Sequence, residues 1–163
     1  MKRWVLVILM ILFMILPLTA SKVGLSVGTF DSKESKEGLD IQTGVIVGLS
    51  PTLELESQLI VKLTPQPFTN LIGKIGFNYS LLGPVYEKKG TVATYATSYV
   101  GLGFMGNLLD KNSYGPFIQI TPISVGGSQF RLRERTLTFG LYYNIEKNSF
   151  SIYWNLFTLD FFL

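Results

Sequence analysis

The sequence predicts an all-β chain in which eight antiparallel strands close an up-and-down barrel. Two observations lead there. Apolar and polar residues alternate with a period of two over most of the chain after residue 20, and clusters of turn-forming residues interrupt the alternation repeatedly. No useful stretch of helical period follows Ala20.

The clearest stretch is Ile41–Leu63. Ile41, Thr43, Val45, Val47 and Leu49 share one face, which Leu53, Leu55, Ser57, Leu59, Val61 and Leu63 resume. Gln42, Gly44, Ile46 and Gly48 share the other face with Glu54, Glu56, Gln58, Ile60 and Lys62. The interruption Ser50-Pro51-Thr52 is short enough for a hairpin. The apolar faces coincide if Leu49 pairs with Leu53, which sets Gly44 opposite Gln58 and Gly48 opposite Glu54. Small beside large is how side chains fill a narrow barrel. A run of about ten residues per strand exceeds the ~5–6 usual in soluble sheets and matches the ~9–11 of a tilted membrane strand.

The other elements follow in order. Met1–Ala20 has two basic residues, an apolar run from Trp4 to Ile15, then Pro17 and small residues, the layout of a secretory signal peptide cut after Ala20. Residues 21–163 then form one barrel domain. Val23, Leu25 and Val27 alternate with Gly24, Ser26 and Gly28 as strand 1, and Asp31–Asp40 is a charged loop. After the hairpin, Thr64–Asn70 carries two prolines and reads as a loop. In strand 4, Leu71, Ile75, Phe77, Tyr79 and Leu81 alternate with Ile72, Lys74, Gly76, Asn78 and Ser80. Strand 5 sets Val100, Leu102 and Phe104 against Tyr99, Gly101 and Gly103. A two-residue turn at Lys89-Gly90 would pair Ile75 with Phe104 and Phe77 with Leu102. Past the loop Asp110–Gly115, strand 6 from Phe117 to Val125 has the weakest pattern, because Pro122 interrupts it. Strand 7 follows the turn Gly126–Ser128. Leu137, Phe139, Leu141 and Tyr143 face one way, and Glu134, Thr136, Thr138, Gly140 and Tyr142 the other. After Asn144–Asn148, strand 8 starts with Phe150, Ile152 and Trp154 as its apolar set and ends with Phe157, Leu159, Phe161 and Leu163. A bulge or face change therefore belongs near Asn155.

Alternation alone does not say which face meets water. Composition narrows the choice. Cysteine and histidine are absent, so disulfides, thiolate metal sites and histidine chemistry are excluded. The net charge of +3 falls to +1 without Lys2 and Arg3, which gives no footing for nucleic-acid binding. One face of strands 1 to 4 is almost free of charge, whereas the other holds Glu54, Glu56, Lys62 and Lys74. A charge facing lipid at mid-depth costs about 2–4 kcal/mol, so the clean face belongs in a membrane. The last residue, Leu163, also lies inside a strand with no polar tail after it. The expectation is an eight-stranded antiparallel up-and-down transmembrane β-barrel after an N-terminal signal peptide, in a bacterial outer membrane. Its termini and the turns Ser50–Thr52, Lys88–Gly90 and Gly126–Ser128 face the periplasm. A soluble periplasmic barrel carrying an apolar ligand, lipocalin-like, is the alternative on the same pattern.

Four groups of residues are site candidates. Glu54, Glu56, Lys62, Lys74 and Glu134 are assigned to a barrel-interior polar cluster of paired charges, which leaves no large pore. Arg131, Arg133 and Arg135 share one face just before Leu137, either as a solvated strand end or as a contact for anionic lipid headgroups. Tyr79, Tyr95, Tyr99, Tyr143, Tyr153 and Trp154 are candidates for interfacial girdles or ordinary strand packing. No spacing points to catalytic residues, a cofactor or a metal ion, and a non-enzymatic role is expected.

The fourth group is the C-terminus. Phe157-Thr158-Leu159-Asp160-Phe161-Phe162-Leu163 sets Phe157, Leu159, Phe161 and Leu163 at alternate positions, with Phe161 and Phe162 next to the last residue. It resembles the terminal targeting strand of bacterial outer-membrane barrels. With the leader and the strand count, the chain resembles the small eight-stranded barrels of the OmpA, OmpX and OmpW type. That resemblance implies outer-membrane lipid and the barrel-assembly machinery as partners and a structural or interaction role, and a monomer is expected. The OmpW type would imply a narrow passage for hydrophobic molecules, the OmpX type a filled interior. Barrel enzymes of this architecture use a histidine, which this chain lacks.

Overall fold

The computed structural model describes residues 22–32, 40–50, 52–63, 67, 69–82, 94–110, 112–127 and 131–163. The expected signal peptide and the expected turn at Lys89-Gly90 lie outside the described residues. The strands are β1 (Lys22–Ser32), β2 (Asp40–Gly48), β3 (Leu53–Lys62), β4 (Leu71–Ser80), β5 (Thr94–Asn107), β6 (Tyr114–Gly127), β7 (Leu132–Asn144) and β8 (Ser149–Phe162). Each pairs antiparallel with its neighbours in sequence, and β8 returns to β1 to close the barrel. Closure leaves no sheet edge.

The register follows the alternation closely in the first half. Gly44 lies opposite Gln58 and Gly48 opposite Glu54. Leu49 donates its backbone N–H to Leu53 O at 2.9 Å, which closes the hairpin. Ile75 pairs with Phe104 and Phe77 with Leu102. Two boundaries move. Asp31 and Ser32 extend β1, and Asp40 opens β2, so the charged loop is shorter than its composition suggests. Strand β6 is as long as any, although Pro122 weakened its pattern.

The reason lies in a belt of paired defects across β6, β7 and β8. In each strand two consecutive residues face outward, Pro122-Ile123, Thr136-Leu137 and Leu156-Phe157. Ile123 pairs with Thr136, and Thr136 with Phe157, so the three defects lie side by side. The register shifts on either side of the belt, between Thr97 and Tyr99 on β5 and between Gly28 and Asp31 on β1. A hydroxyl from the flanking strand serves each of the two outer defects. Ser98 Oγ donates to Pro122 O at 2.5 Å. Thr29 Oγ1 accepts from Leu156 N at 3.0 Å and Phe157 N at 3.4 Å. Leu137 takes a φ of 59°, in the left-handed region that disfavours side chains. The facing switch near Asn155 thus falls one step later, at Leu156-Phe157, and two more like it accompany it.

The outer wall is apolar. Leu102 is 62% exposed and Phe104 56%, and Leu25, Phe77, Ile118, Phe139 and Ile152 are also exposed. Among the described residues, outward strand positions hold charge only at Asp31 and Glu134, one towards each rim.

Candidate functional site: a charge network under an aromatic floor

Inward positions divide into two layers. The lower layer lies in the half of the barrel nearer Lys22 and Phe162 and is ionic. Arg133, with no exposed surface, donates from its guanidinium to Glu54 at 2.7 Å, Asp160 at 2.7 Å and the Tyr99 hydroxyl at 2.8 Å. Arg135 donates to Glu56 at 2.5 Å, Asp160 at 2.9 Å and Ser26 at 3.2 Å. Asp160 therefore bridges two arginines. Glu56 also accepts from the amides of Gln58 at 2.8 Å and Asn78 at 2.9 Å. Lys74 donates to Gln58 at 3.2 Å and Gln119 at 2.6 Å, and its ammonium lies 5.0 Å from the Phe117 ring centroid. Glu54, Glu56 and Asp160 balance Arg133, Arg135 and Lys74 in charge. A buried ion costs several kcal/mol to desolvate and is tolerable only when paired and hydrogen-bonded, as these are.

The upper layer, towards the loops that follow β1, β3, β5 and β7, is aromatic. Phe30, Ile60, Met105, Phe117, Tyr142 and Tyr153 pack into one buried cluster. Tyr153 stacks on Phe30 with centroids 5.4 Å apart and meets Phe117 edge-on at 6.2 Å. Its hydroxyl donates to Gln119 at 3.1 Å, which ties this layer to the one below. Glycines make the room. A Cβ on Gly140 would strike the Tyr153 ring, and one on Gly76 would come within 2.7 Å of Phe117 Cζ.

Placed on this geometry, the sequence candidates separate. Glu54, Glu56 and Lys74 line the interior. Lys62 stands at the end of β3 on the same face, half-buried and opposite Asp40. Glu134 is a correction. It points outward and accepts from Thr136 Oγ1 at 3.4 Å. Arg133 and Arg135 are the matching correction, because both are interior and neither is placed to meet a headgroup. The cause is the defect belt. An unbroken strand would carry Arg133 and Arg135 on the same outer face as Leu137 and Phe139, and Thr136-Leu137 reverses that assignment. Arg131 alone of the three is exposed, at the start of β7 with a φ of 48°. Phe157, Leu159, Phe161 and Leu163 all lie on the outer side, with Leu159 half-buried, and Phe161 pairs with both Leu25 and Leu132. Of the girdle candidates, Tyr79 is exposed, whereas Tyr99 and Tyr153 are interior.

Alternation could not disclose Arg133, Arg135 and Asp160 as network members, because a belt of bulges inverts the parity of exactly that stretch. The one available signal was the face change in strand 8, which places Asp160 inward if followed through. The aromatic floor had a fainter trace, Phe117 opposite Gly103 and Tyr153 opposite Gly140. Among the described residues, no group of three or more acidic side chains could hold a metal ion.

Comparison with known proteins gives the fold a setting. No family model matches the chain, and no curated protein matches it. Two solved structures do. One is a de novo designed transmembrane β-barrel, 15% identical, with a TM-score of 0.55 over 88% of this chain and 97% of the other. The second is the N-terminal β-barrel domain of Pseudomonas aeruginosa OprF, 10% identical, with a TM-score of 0.53 over 87% of this chain and 98% of the other. The chain is an eight-stranded antiparallel barrel of the kind seen in outer-membrane proteins.

Proposed function

We propose that this protein is a small integral outer-membrane barrel with a structural or interaction role and no catalytic one. The observation that carries the reading is the sorting of charge. Among the described residues seven acidic and basic side chains, Asp40, Glu54, Glu56, Lys74, Arg133, Arg135 and Asp160, are buried in the interior, while the outer wall between the rims is apolar. Water would reward the reverse arrangement, and lipid rewards this one by about 2–4 kcal/mol for each mid-depth charge kept inside. A lipocalin-like carrier needs an empty apolar core, and here ion pairs and rings occupy it. An OmpW-like passage for hydrophobic molecules is disfavoured on the same ground. In this reading the N-terminal leader directs export, the terminal strand is recognised by the barrel-assembly machinery, and Arg131 meets anionic headgroups at the periplasmic rim as a monomeric barrel sits in outer-membrane lipid.

Fractionation tests it. The protein is expected in the outer-membrane fraction, released by detergent and not by high salt or carbonate. A monomer that stays soluble in plain buffer after leader removal would sink the proposal.

A further inference from the structure

We infer that the loop end of the barrel is a closed cup that binds a small neutral aromatic molecule bearing a polar group. Above the aromatic floor lies a cavity of about 220 Å³. Phe30, Met105, Tyr142 and Tyr153 line its base, and Asn70, Asn107 and Ser113 contribute to its polar lining. An apolar cavity of about 150 Å³ is enough to hold benzene, so this one admits a molecule of one or two rings.

The chemistry of the lining selects the class. Tyr153 and Phe30 are stacked on each other and covered, so a ligand ring meets the base through Tyr142 and Met105, its less buried members, where edge-on contact is favourable. The Met105 thioether is a favourable neighbour for such a ring. Asn70 Oδ1 accepts from Asn107 Nδ2 at 2.9 Å, which holds two amides together as a polar lining able to meet an N–H or hydroxyl group. Asp110 and Lys147 both line the cavity, so their charges offset and a net charge on the ligand is not favoured. The floor makes the cup a dead end. Tyr153 is 1% exposed and anchored through Gln119 to Lys74, so a ligand is held at the outer surface and not passed inward.

Met105 supplies a reporter, because it is the only methionine after residue 20. The full chain, labelled with 13C-methyl methionine and refolded into phosphatidylcholine nanodiscs, is titrated with indole and separately with n-octanol. Met105→Leu assigns the signal. Indole is expected to shift the Met105 methyl saturably, and Tyr142→Leu to weaken that response about 3- to 10-fold, the range of one aromatic contact. Ser113→Trp, which fills the mouth, is expected to abolish it. A methyl signal unmoved up to the solubility of indole overturns the proposal. So does an equal response in Tyr142→Leu or a response matched by octanol, which would mean unselective apolar uptake. A chain that stays outside the nanodiscs contradicts the membrane reading, yet can be titrated in buffer, so the two failures are distinguishable.

Discussion

At the scale of single residues, burial decides what each charge is worth. Arg135 holds Glu56 and Asp160 together with no water to replace it. Removing one partner of such a group leaves uncompensated charge, which costs about 3–5 kcal/mol, while removing both partners is often nearly neutral. Arg135→Met is therefore expected to lower unfolding stability by about 3–5 kcal/mol, and Arg135→Met with Glu56→Met to recover part of the loss. Glu134→Gln, outward and near the rim, should stay within about 0.5 kcal/mol. Urea titrations of the protein refolded into vesicles measure all three. A large loss in Glu134→Gln with a small one in Arg135→Met would reverse the assignment of faces. Packing obeys the same local logic. Gly140→Ala puts a methyl group into the Tyr153 ring, and overpacking of this kind costs about 1–3 kcal/mol. Tyr153→Leu in the same chain should relieve that clash, and a double-mutant cycle reads the coupling.

At the scale of elements, the defect belt is the device that sorts the second half of the barrel. It turns Arg133, Arg135 and Asp160 inward without disturbing the outward run from Leu137 to Tyr143. Thr29 sustains it by accepting two backbone N–H groups that the ladder leaves over. Thr29→Val keeps the shape and removes the acceptor, and on a lipid-facing wall, where no water replaces it, an unmet backbone donor costs about 1–3 kcal/mol. A loss in that range is expected by the same urea titration, and no loss would mean that the bulge finds other partners. Legibility from sequence follows this boundary. Strands β1 to β5 alternate without a change of face, so period-two alternation placed the β2–β3 and β4–β5 registers and the interior residues Glu54, Glu56 and Lys74. Across β6 to β8 alternation stays intact on each side of the belt but changes phase within it. Strand existence was therefore readable while facing was not. Pro122 marked one bulge and the double apolar set of strand 8 another. Thr136-Leu137 carries no turn residue, and its bulge is imposed by the strands on either side.

At the scale of the whole molecule, the interior is obstructed twice in series. The aromatic floor of Phe30, Phe117 and Tyr153 closes the loop half, and the Arg133–Asp160–Arg135 network closes the other. An eight-stranded barrel is only just wide enough for side chains to fill, so neither layer leaves a water-filled bore beside it. Ion passage then requires both layers to give way together. Refolded protein in planar bilayers is expected to show no steady porin-like conductance. Opening one layer should not suffice. Phe30→Ala, Phe117→Ala and Tyr153→Ala combined remove the floor but leave the ion pairs intact, so the triple variant should conduct in brief, small events at most. Adding Arg133→Ala and Arg135→Ala removes the second obstruction as well, and conductance should rise sharply there if the variant still inserts, which heat-modifiable mobility on gels establishes. Steady large conductance in the unaltered protein would mean that neither layer seals the barrel, and a triple variant as conductive as the quintuple one would mean that the charge network is not a barrier and that the floor alone closes it.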